Sequence, residues 1–592
     1  MENIIKIRLQ ELRTEMKNKG IAAWYMSGYD PHQSEYMPNH WQIREFISGF
    51  NGSMGFMVVT LNDAALWTDS RYFLQAASQL EGTGIQLMKF RIEGTPSPAQ
   101  WISSQITSDQ LAGTDATCIS VSAFESLQAE LSEYEIKLTD CGDLLSSFWT
   151  DRPDLPMNPI FEHEVNYAGY SRAEKIDQIR NHLTEKKADS ILLSALDDLA
   201  WTFNLRGNDV DFNPVFISFA LISKTSCTLF VNQAKLSDSL KDKLQSEGIN
   251  LLPYQDIYSD VSNIKGKILI DPDRINYALK NALSKDAKVE YTLSIAAILK
   301  AIKSEQEIKM FEIAMQKDGV AMVKFLYWLN QTAGVENITE YDVLLKLKEF
   351  RAQQENFMGA SFHSIVGFNG NGAVVHRSVT PETAASITND GILLFDSGGQ
   401  YLEGTTDITR TVCLGNPTEL AKEDFTITLK GTIGLAELKF PANTLGCNLD
   451  LAARHAMWQT ARNYGHGTAH GIGFFLNVHE GPMSIRQEFN DRVIEPGMVM
   501  SDEPAFYREG LYGIRTENVM VCKEWVTNEY GRFLQFETLT LCPIDTKLIE
   551  KSLLTDAEVE WINQYHQQCY DKLAPELNEA ESTFLKEITQ VI

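Results

Sequence analysis

The chain is short of basic residues: 52 lysines and arginines face 79 aspartates and glutamates across 592 residues, a formal net charge of −27. Nucleic acid and anionic membrane both need clustered Lys and Arg to neutralise phosphates, so this deficit argues against either as a partner. Long hydrophobic runs are missing as well. A spanning helix needs roughly 18 apolar residues in succession, and every apolar run here is far shorter. The first twenty residues, MENIIKIRLQELRTEMKNKG, are charged throughout and lack the apolar centre and small-residue cleavage site of a secretion signal. The eight cysteines, among them Cys118, Cys227, Cys413 and Cys569, show no CxxC spacing. That excludes a zinc ribbon and a disulfide framework, and it predicts a reducing, cytoplasmic location. What remains is a soluble globular chain, 44% hydrophobic and long enough for several cores.

The clearest linker is DRPDLPMNP, residues 151–159, where three prolines favour extended backbone over helix or sheet. Similar units begin on either side of it. IRLQELRTEMKNKGIAAWYM and KIDQIRNHLTEKKADSILLS both read as an amphipathic helix running into a buried strand. Further strand–helix alternation follows each, so both resemble small α/β domains and hint at a duplication. From Lys303 the texture changes. KSEQEIKMFEIAMQKDGVAMVKFLYWL predicts a long helix opened by a capping box of Ser304 and Glu307. Beyond it, strand-like GILLFDSG, DITRTVCL, GMVMSDEP and ENVMVC interleave with helical stretches in an α+β pattern with antiparallel strands. The predicted domains are 1–159, 160–302 and 303–592, the last closing with a structural helix capped by Thr555 and Glu558 that carries Trp561 and Tyr565.

Two pairs of carboxylates carry the chemistry. Asp396 and Asp407 sit on either side of the turn-like GGQYLEG, near enough to symmetric that they are predicted to face each other across a β-hairpin; Glu503 and Glu517 are equally spaced about Gly510. Directly opposed residues have Cβ atoms roughly 4.5–5.5 Å apart. At ~5 Å and an effective dielectric of ~20 each pair would cost on the order of 3 kcal/mol. Protonation or a bound cation must relieve that, and a metal is the better reading. Between the two pairs, NYGHGTAHGIGFFLNVHEGP holds His466, His470 and His479, three of the chain's eleven histidines. The glycines make a helix unfavourable there, so strand and loop are predicted, with backbone able to approach a metal or peptide closely. Four carboxylates and an imidazole form a hard, oxygen-rich set suited to two divalent ions, manganese first, with cobalt, iron or zinc as alternatives.

These residues resemble the pita-bread metallopeptidases, which include methionine aminopeptidase, prolidase and aminopeptidase P. The family's five metal ligands fall on Asp396, Asp407, His470, Glu503 and Glu517, and the three histidines of its proline-directed members fall on His376 (in GAVVHRS), His466 and His479. DPHQSEYMPNHWQIREFISGFNGSMG, LWTDSRYF, LDDLAWTFNLRGNDVDFNPVF and SDEPAFYREGLYGIRTEN extend the likeness to the long, three-domain, cytosolic Xaa-Pro aminopeptidases over nearly the whole chain. The resemblance implies two creatinase-N-like α/β domains before a pita-bread catalytic domain, a homodimer, and release of the first residue from peptides with a free amino terminus and proline second. It further implies bridging by Asp407 and Glu517, Asp396 on one metal, and His470 with Glu503 on the other. Glu503 would be general base and His479 an oxyanion donor; His376 would lie near the leaving proline nitrogen, and His466 and Arg515 would shape the pocket. For Arg515 an ion pair with Glu517 or another neighbour stands as an equal alternative. Arg377 departs from the family, which usually has an aromatic there. A prolidase acting on Xaa-Pro dipeptides and a non-catalytic pita-bread binding protein are the rival readings.

Overall fold

The structure is a computed structural model that describes residues 2–592. One compact unit takes the chain as far as Glu162, then Tyr170–Asp211 and Val215–Ala296; the other takes His163–Gly169, Phe212–Pro214 and Ala297–Ile592.

The first unit contains two six-stranded sheets that repeat each other strand for strand. In one, the central strand Ile21–Met26 pairs antiparallel with Phe56–Thr60 and parallel with Leu111–Thr114; Ala64–Thr68, Gln86–Lys89 and Lys137–Asp140 complete it. In the other, Ser190–Leu193 takes the central place, antiparallel to Ser218–Ser223 and parallel to Gly266–Ile270, with Cys227–Val231, Ile249–Leu252 and Ala287–Tyr291 outside. A helix leads into each central strand, Glu2–Asn18 into the first and Arg172–Glu185 into the second. Their inner faces follow the expected three- and four-residue spacing: Ile5, Leu9, Leu12 and Met16 are buried in one, Ile176, Ile179 and Leu183 in the other. The duplication read from the sequence is therefore present in topology and strand direction.

In the second unit every strand ladder is antiparallel. The helix Glu305–Thr332 opens on the expected Ser304–Glu307 capping box. A six-stranded sheet runs in the order Lys439–Pro441, Gly531–Thr538, Asn518–Asn528, Val499–Asp502, Ala469–Gly471, Glu480–Ile485. A three-stranded sheet joins Ile365–Phe368, Gly391–Ser397 and Ile408–Leu414. Helices Glu419–Ala436 and Gly446–Trp458 bury apolar faces within the same unit. The closing helix Asp556–Leu573 has its Thr555–Glu558 box, and Tyr565 is buried with its hydroxyl 2.9 Å from a donating Arg410 guanidinium. That places Tyr565 in the core.

The hairpin around Asp396 corrects the predicted register. Tyr401 opposes Gly404 across the two-residue turn Leu402–Glu403, so Asp396 opposes Thr409 and not Asp407. The turn is centred one residue later than the symmetric reading assumed, which slips the pairing by two positions. A two-residue slip keeps every side chain on its face, so Asp396 and Asp407 still share a face as diagonal neighbours. The hairpin is anchored from below. Asp318, buried on the long helix, accepts hydrogen bonds from Arg351 Nε (2.7 Å), Tyr401 Oη (3.0 Å) and Thr406 Oγ1 (2.9 Å). Arg351 also donates to the carbonyl of Ser397, 3.3 Å away. Glu503 and Glu517 lie in the gap between two ladders of one register, Asp502 opposite Asn518 before them and Ala505 opposite Arg515 after. The register thus sets the two glutamates opposite each other.

Candidate metal centre

Asp396 comes from the strand Gly391–Ser397 and Asp407 from just before the strand Ile408–Leu414, His470 from the strand Ala469–Gly471, and the glutamates from the gap between the larger sheet and the two-stranded ladder of Ala505–Arg508 with Tyr512–Arg515. Backbone hydrogen bonds knit these sources together: the amide of Glu503 donates to Thr468 O (2.9 Å) and that of Glu517 to Thr409 O (3.1 Å). Donor atoms of Asp407, His470 and Glu517 all lie within 4.8 Å of one another. His470 Nδ1 is 3.0 Å from the carbonyl of Gly471, so that nitrogen carries the proton and donates it. Its Nε2 lone pair then faces Asp407 Oδ2 and Glu503 Oε1, each 3.5 Å away. A lone pair aimed at two carboxylates is repulsive unless a cation sits among them, and an imidazole tied to a backbone carbonyl through its other nitrogen is the usual form of a metal ligand.

The electrostatics agree with that reading. Burial, then the charges of Glu517, Asp396 and Glu503, hold the Asp407 carboxyl far above the ordinary carboxylate range. Burial and then Asp396 push Glu517 up to about 7, against hydrogen bonding from Thr409 Oγ1 at 2.6 Å. Asp396 Oδ1 is buried without a hydrogen-bond partner. An orphaned carboxylate oxygen, an imidazole nitrogen turned at two carboxylates and carboxylates too crowded to ionise together fit a pair of hard divalent cations.

These shifts have a pH consequence. Because the folded-state value of Glu517 is raised from 4.5 to about 7, the metal-free fold binds more protons than the unfolded chain in that window. It therefore loses stability as pH rises through it. Metal must also displace this proton below pH 7. Apparent affinity is expected to fall as pH drops from 7 to 6, and the raised Asp407 carboxyl adds to the same direction. Calorimetric titrations at pH 6, 7 and 8 measure it, and a flat profile would contradict the coupling.

His479, His466 and Arg515 lie against this cluster. The rings of His479 and His470 are edge-on at 4.5 Å between centroids. His466 Nδ1 lies 3.8 Å from Glu503 Oε2, and its Nε2 is 2.9 Å from Tyr507 Oη. Arg515 donates to Tyr507 Oη at 2.6 Å, to Thr409 Oγ1 at 2.9 Å and to Asp396 Oδ2 at 2.5 Å. Of the two readings of Arg515, an ion pair with a neighbour is realised, and the hydrogen-bonded partner is Asp396. With its oxygen accepting from Arg515, the Tyr507 hydroxyl donates to His466 Nε2, which leaves Nδ1–H for the carbonyl of Gly467 at 2.7 Å. His376 follows the turn Asn369–Ala373, whose backbone crosses the strand Tyr512–Arg515 so closely that a Cβ at Gly513 would stand 1.8 Å from Gly372 O. Gly471 has a similar reason: a Cβ there would strike Glu480 O at 2.4 Å, so this glycine makes room for the chain's own strand. Arg377 donates to Glu340 Oε2 at 2.9 Å and to Thr383 O at 2.7 Å.

Residues 8–148 and 151–307 match two family models, each described as the creatinase/prolidase N-terminal domain. Residues 309–524 match metallopeptidase family M24, and 532–592 the C-terminal region of peptidase M24. An Xaa-Pro aminopeptidase 1 of Dictyostelium discoideum is 39% identical over 591 residues, covering 96% of this chain and 93% of that protein. The chain belongs to the Xaa-Pro aminopeptidases of metallopeptidase family M24. The Drosophila melanogaster Xaa-Pro aminopeptidase ApepP is likewise 39% identical, over 98% of this chain and 97% of its own length. In structure, the X-prolyl aminopeptidase of Caenorhabditis elegans, described as a cytosolic enzyme with a di-nuclear active site, superposes with a TM-score of 0.95 at 30% identity, covering 99% of this chain and all of that one. The M24 architecture expected from the sequence, two creatinase-N domains and a pita-bread domain, is therefore the one present.

Tyr507 and Thr409 are the members of this M24 site that the sequence did not single out. Thr409 could have been found, since it lies two residues beyond Asp407 on the same strand face. Nothing in the sequence marks Tyr507, whose ring reaches His466 only through the tertiary fold.

Proposed function

We propose that this chain is a metal-dependent aminopeptidase that releases the first residue from peptides with proline in the second position. The observation that carries the reading is the imidazole of His470 turned at Asp407 and Glu503, within a chain 39% identical to Xaa-Pro aminopeptidases over nearly its whole length. Asp396, Asp407, His470, Glu503 and Glu517 would hold two divalent ions, most suitably manganese, with Asp407 and Glu517 shared. Bound there, the ions would supply an acidified water and polarise the scissile carbonyl.

The chain's own groups do the rest. Glu503, half-buried beside His466, takes a proton from the attacking water. His479 donates a hydrogen bond to the oxygen that gains charge. The Xaa-Pro bond is a tertiary amide with no N–H, so its nitrogen must be protonated to leave, and His376 would be the imidazole near it. Arg515 and Tyr507 fix Asp396 and His466, which bound the pocket. The substrate amine meets Asp396, which restricts cleavage to one residue at a time.

The reading keeps three domains, 1–159, 160–302 and 303–592, supported by the irregular backbone of 151–159 and by family matches that begin at 8, 151 and 309. It also keeps a homodimer and a cytoplasmic location; among the described residues no helix is long and apolar enough to cross a membrane.

Hydrolysis by metal-stripped protein before and after adding Mn²⁺ tests the function. Release of the first residue from an Xaa-Pro-Xaa tripeptide, only with metal, is expected. Cleavage of Xaa-Pro dipeptides alone would make the chain a prolidase, and no cleavage with any divalent ion would leave the binding-protein reading.

A further inference from the structure

Three residues in the middle of the first unit's sequence, Phe212–Pro214, cluster with the catalytic unit. Phe212 is held in the left-handed region at φ 69°, a conformation that bulky residues avoid and that persists only where surroundings enforce it. The enforcement comes from buried Gln400, whose Nε2 donates to Phe212 O at 3.0 Å and to Leu476 O at 2.7 Å. The half-buried Phe212 ring meets exposed His363 with centroids 6.4 Å apart and planes at 61°, an edge-to-face geometry.

The neighbours of His363 and of Gln400 lead to the proposed site. Ile365, two residues after His363, opposes Asp396. Ser361, two residues before it, donates to the carbonyl of Thr406, next to Asp407, at 2.8 Å. His363 Nε2 shares a hydrogen bond of 3.3 Å with the hydroxyl of Ser378, two residues after His376. Leu476, on the far side of Gln400, stands three residues before His479. A strained aromatic and an exposed imidazole thus lie among four segments that each carry a residue of the proposed machinery, one of them the segment of His376, the residue proposed above to meet the leaving proline.

Resting on the aminopeptidase reading above, we propose that Phe212 and His363 form the wall of the subsite that takes the residue following proline, and that this wall selects an aromatic side chain there. Two accessible rings at this spacing offer an incoming ring edge and face contacts. A neutral imidazole, the ordinary state above pH 6.5 or so, adds no charge to attract an acidic or basic side chain.

The test uses the full chain loaded with manganese, as wild type, Phe212→Gly and His363→Ala. Glycine accepts a positive φ without strain, so the first variant removes the ring without asking the backbone to move. Wild type is expected to cleave Ala-Pro-Phe with kcat/KM about fivefold or more above Ala-Pro-Ala, and either variant to bring that ratio within about twofold of one. A wild-type ratio near one, or a ratio untouched in both variants, overturns the proposal. Calorimetric binding of the leaving dipeptides Pro-Phe and Pro-Ala separates this from the activity. Tighter Pro-Phe binding that the variants lose sustains the wall even if no tripeptide is cleaved, in which case the aminopeptidase reading alone falls. Equal binding of the two dipeptides by wild type overturns the wall.

Discussion

An Asp407→Asn chain is expected to lose metal and activity while its metal-free form holds or gains stability. Asp407 is buried, and its carboxyl is raised by burial first and then by Glu517, Asp396 and Glu503. Replacing it with a neutral amide of the same shape removes one member of a repulsive cluster, so the metal-free fold sheds a cost. The same change removes a carboxylate oxygen 3.5 Å from His470 Nε2, one proposed to be shared by both ions. Partners one shell further out commonly cost 10–100-fold in affinity or activity, so loss of a bridging ligand is expected to lower turnover by more than about a hundredfold. Elemental analysis should find fewer than two ions per chain, and thermal unfolding of the stripped protein should show no loss of stability. That opposition of sign separates a metal effect from a folding defect. Full stoichiometry in the variant would contradict the bridging assignment.

How much of this was legible in the sequence depends on how far apart the interacting residues lie. Local signals carried well: the capping boxes at Ser304 and Thr555, the helix-to-strand openings of both small domains, and the strand and loop in place of a helix around the glycines of His470 all form as read. The hairpin of Asp396 and Asp407 was also readable, but its register was not. Symmetry about a motif fixes the centre of a turn only to within a residue, and the turn at Leu402–Glu403 is set by Asp318 and Arg351, which arrive from helices tens of residues away. Tyr507 and the pairing of Arg515 with Asp396 were out of reach for the same reason, since each joins elements that meet only in the fold. The Glu503–Glu517 pairing survived because two ladders flank it and one register runs through both.

His479→Ala is expected to do the reverse of Asp407→Asn: turnover falls by about 10²–10³, the cost of losing one oxyanion donor, while metal stoichiometry stays at the wild-type value. The backbone at this position is held by groups other than the imidazole. Val478 before it is buried, and Glu480 after it is buried and ion-paired with Lys303 and Lys300, so the strand Glu480–Ile485 keeps its anchor when the ring is removed. His479 sits edge-on to His470, one of the proposed ligands, with ring centroids 4.5 Å apart, yet it is not itself among the residues proposed to hold the ions. Loss confined to kcat, with KM near wild type, is the signature of an interaction made in the transition state and not in the ground state. Glu503→Gln supplies the contrast. It too should lower turnover, by about 10²–10⁴ for a general base, but it should also weaken metal binding, because Glu503 faces His470 Nε2 directly. If His479→Ala turned over within a few-fold of wild type with its metal intact, the oxyanion role would pass to another donor. If it lost metal as Asp407→Asn does, His479 would have to be counted among the groups that hold the ions.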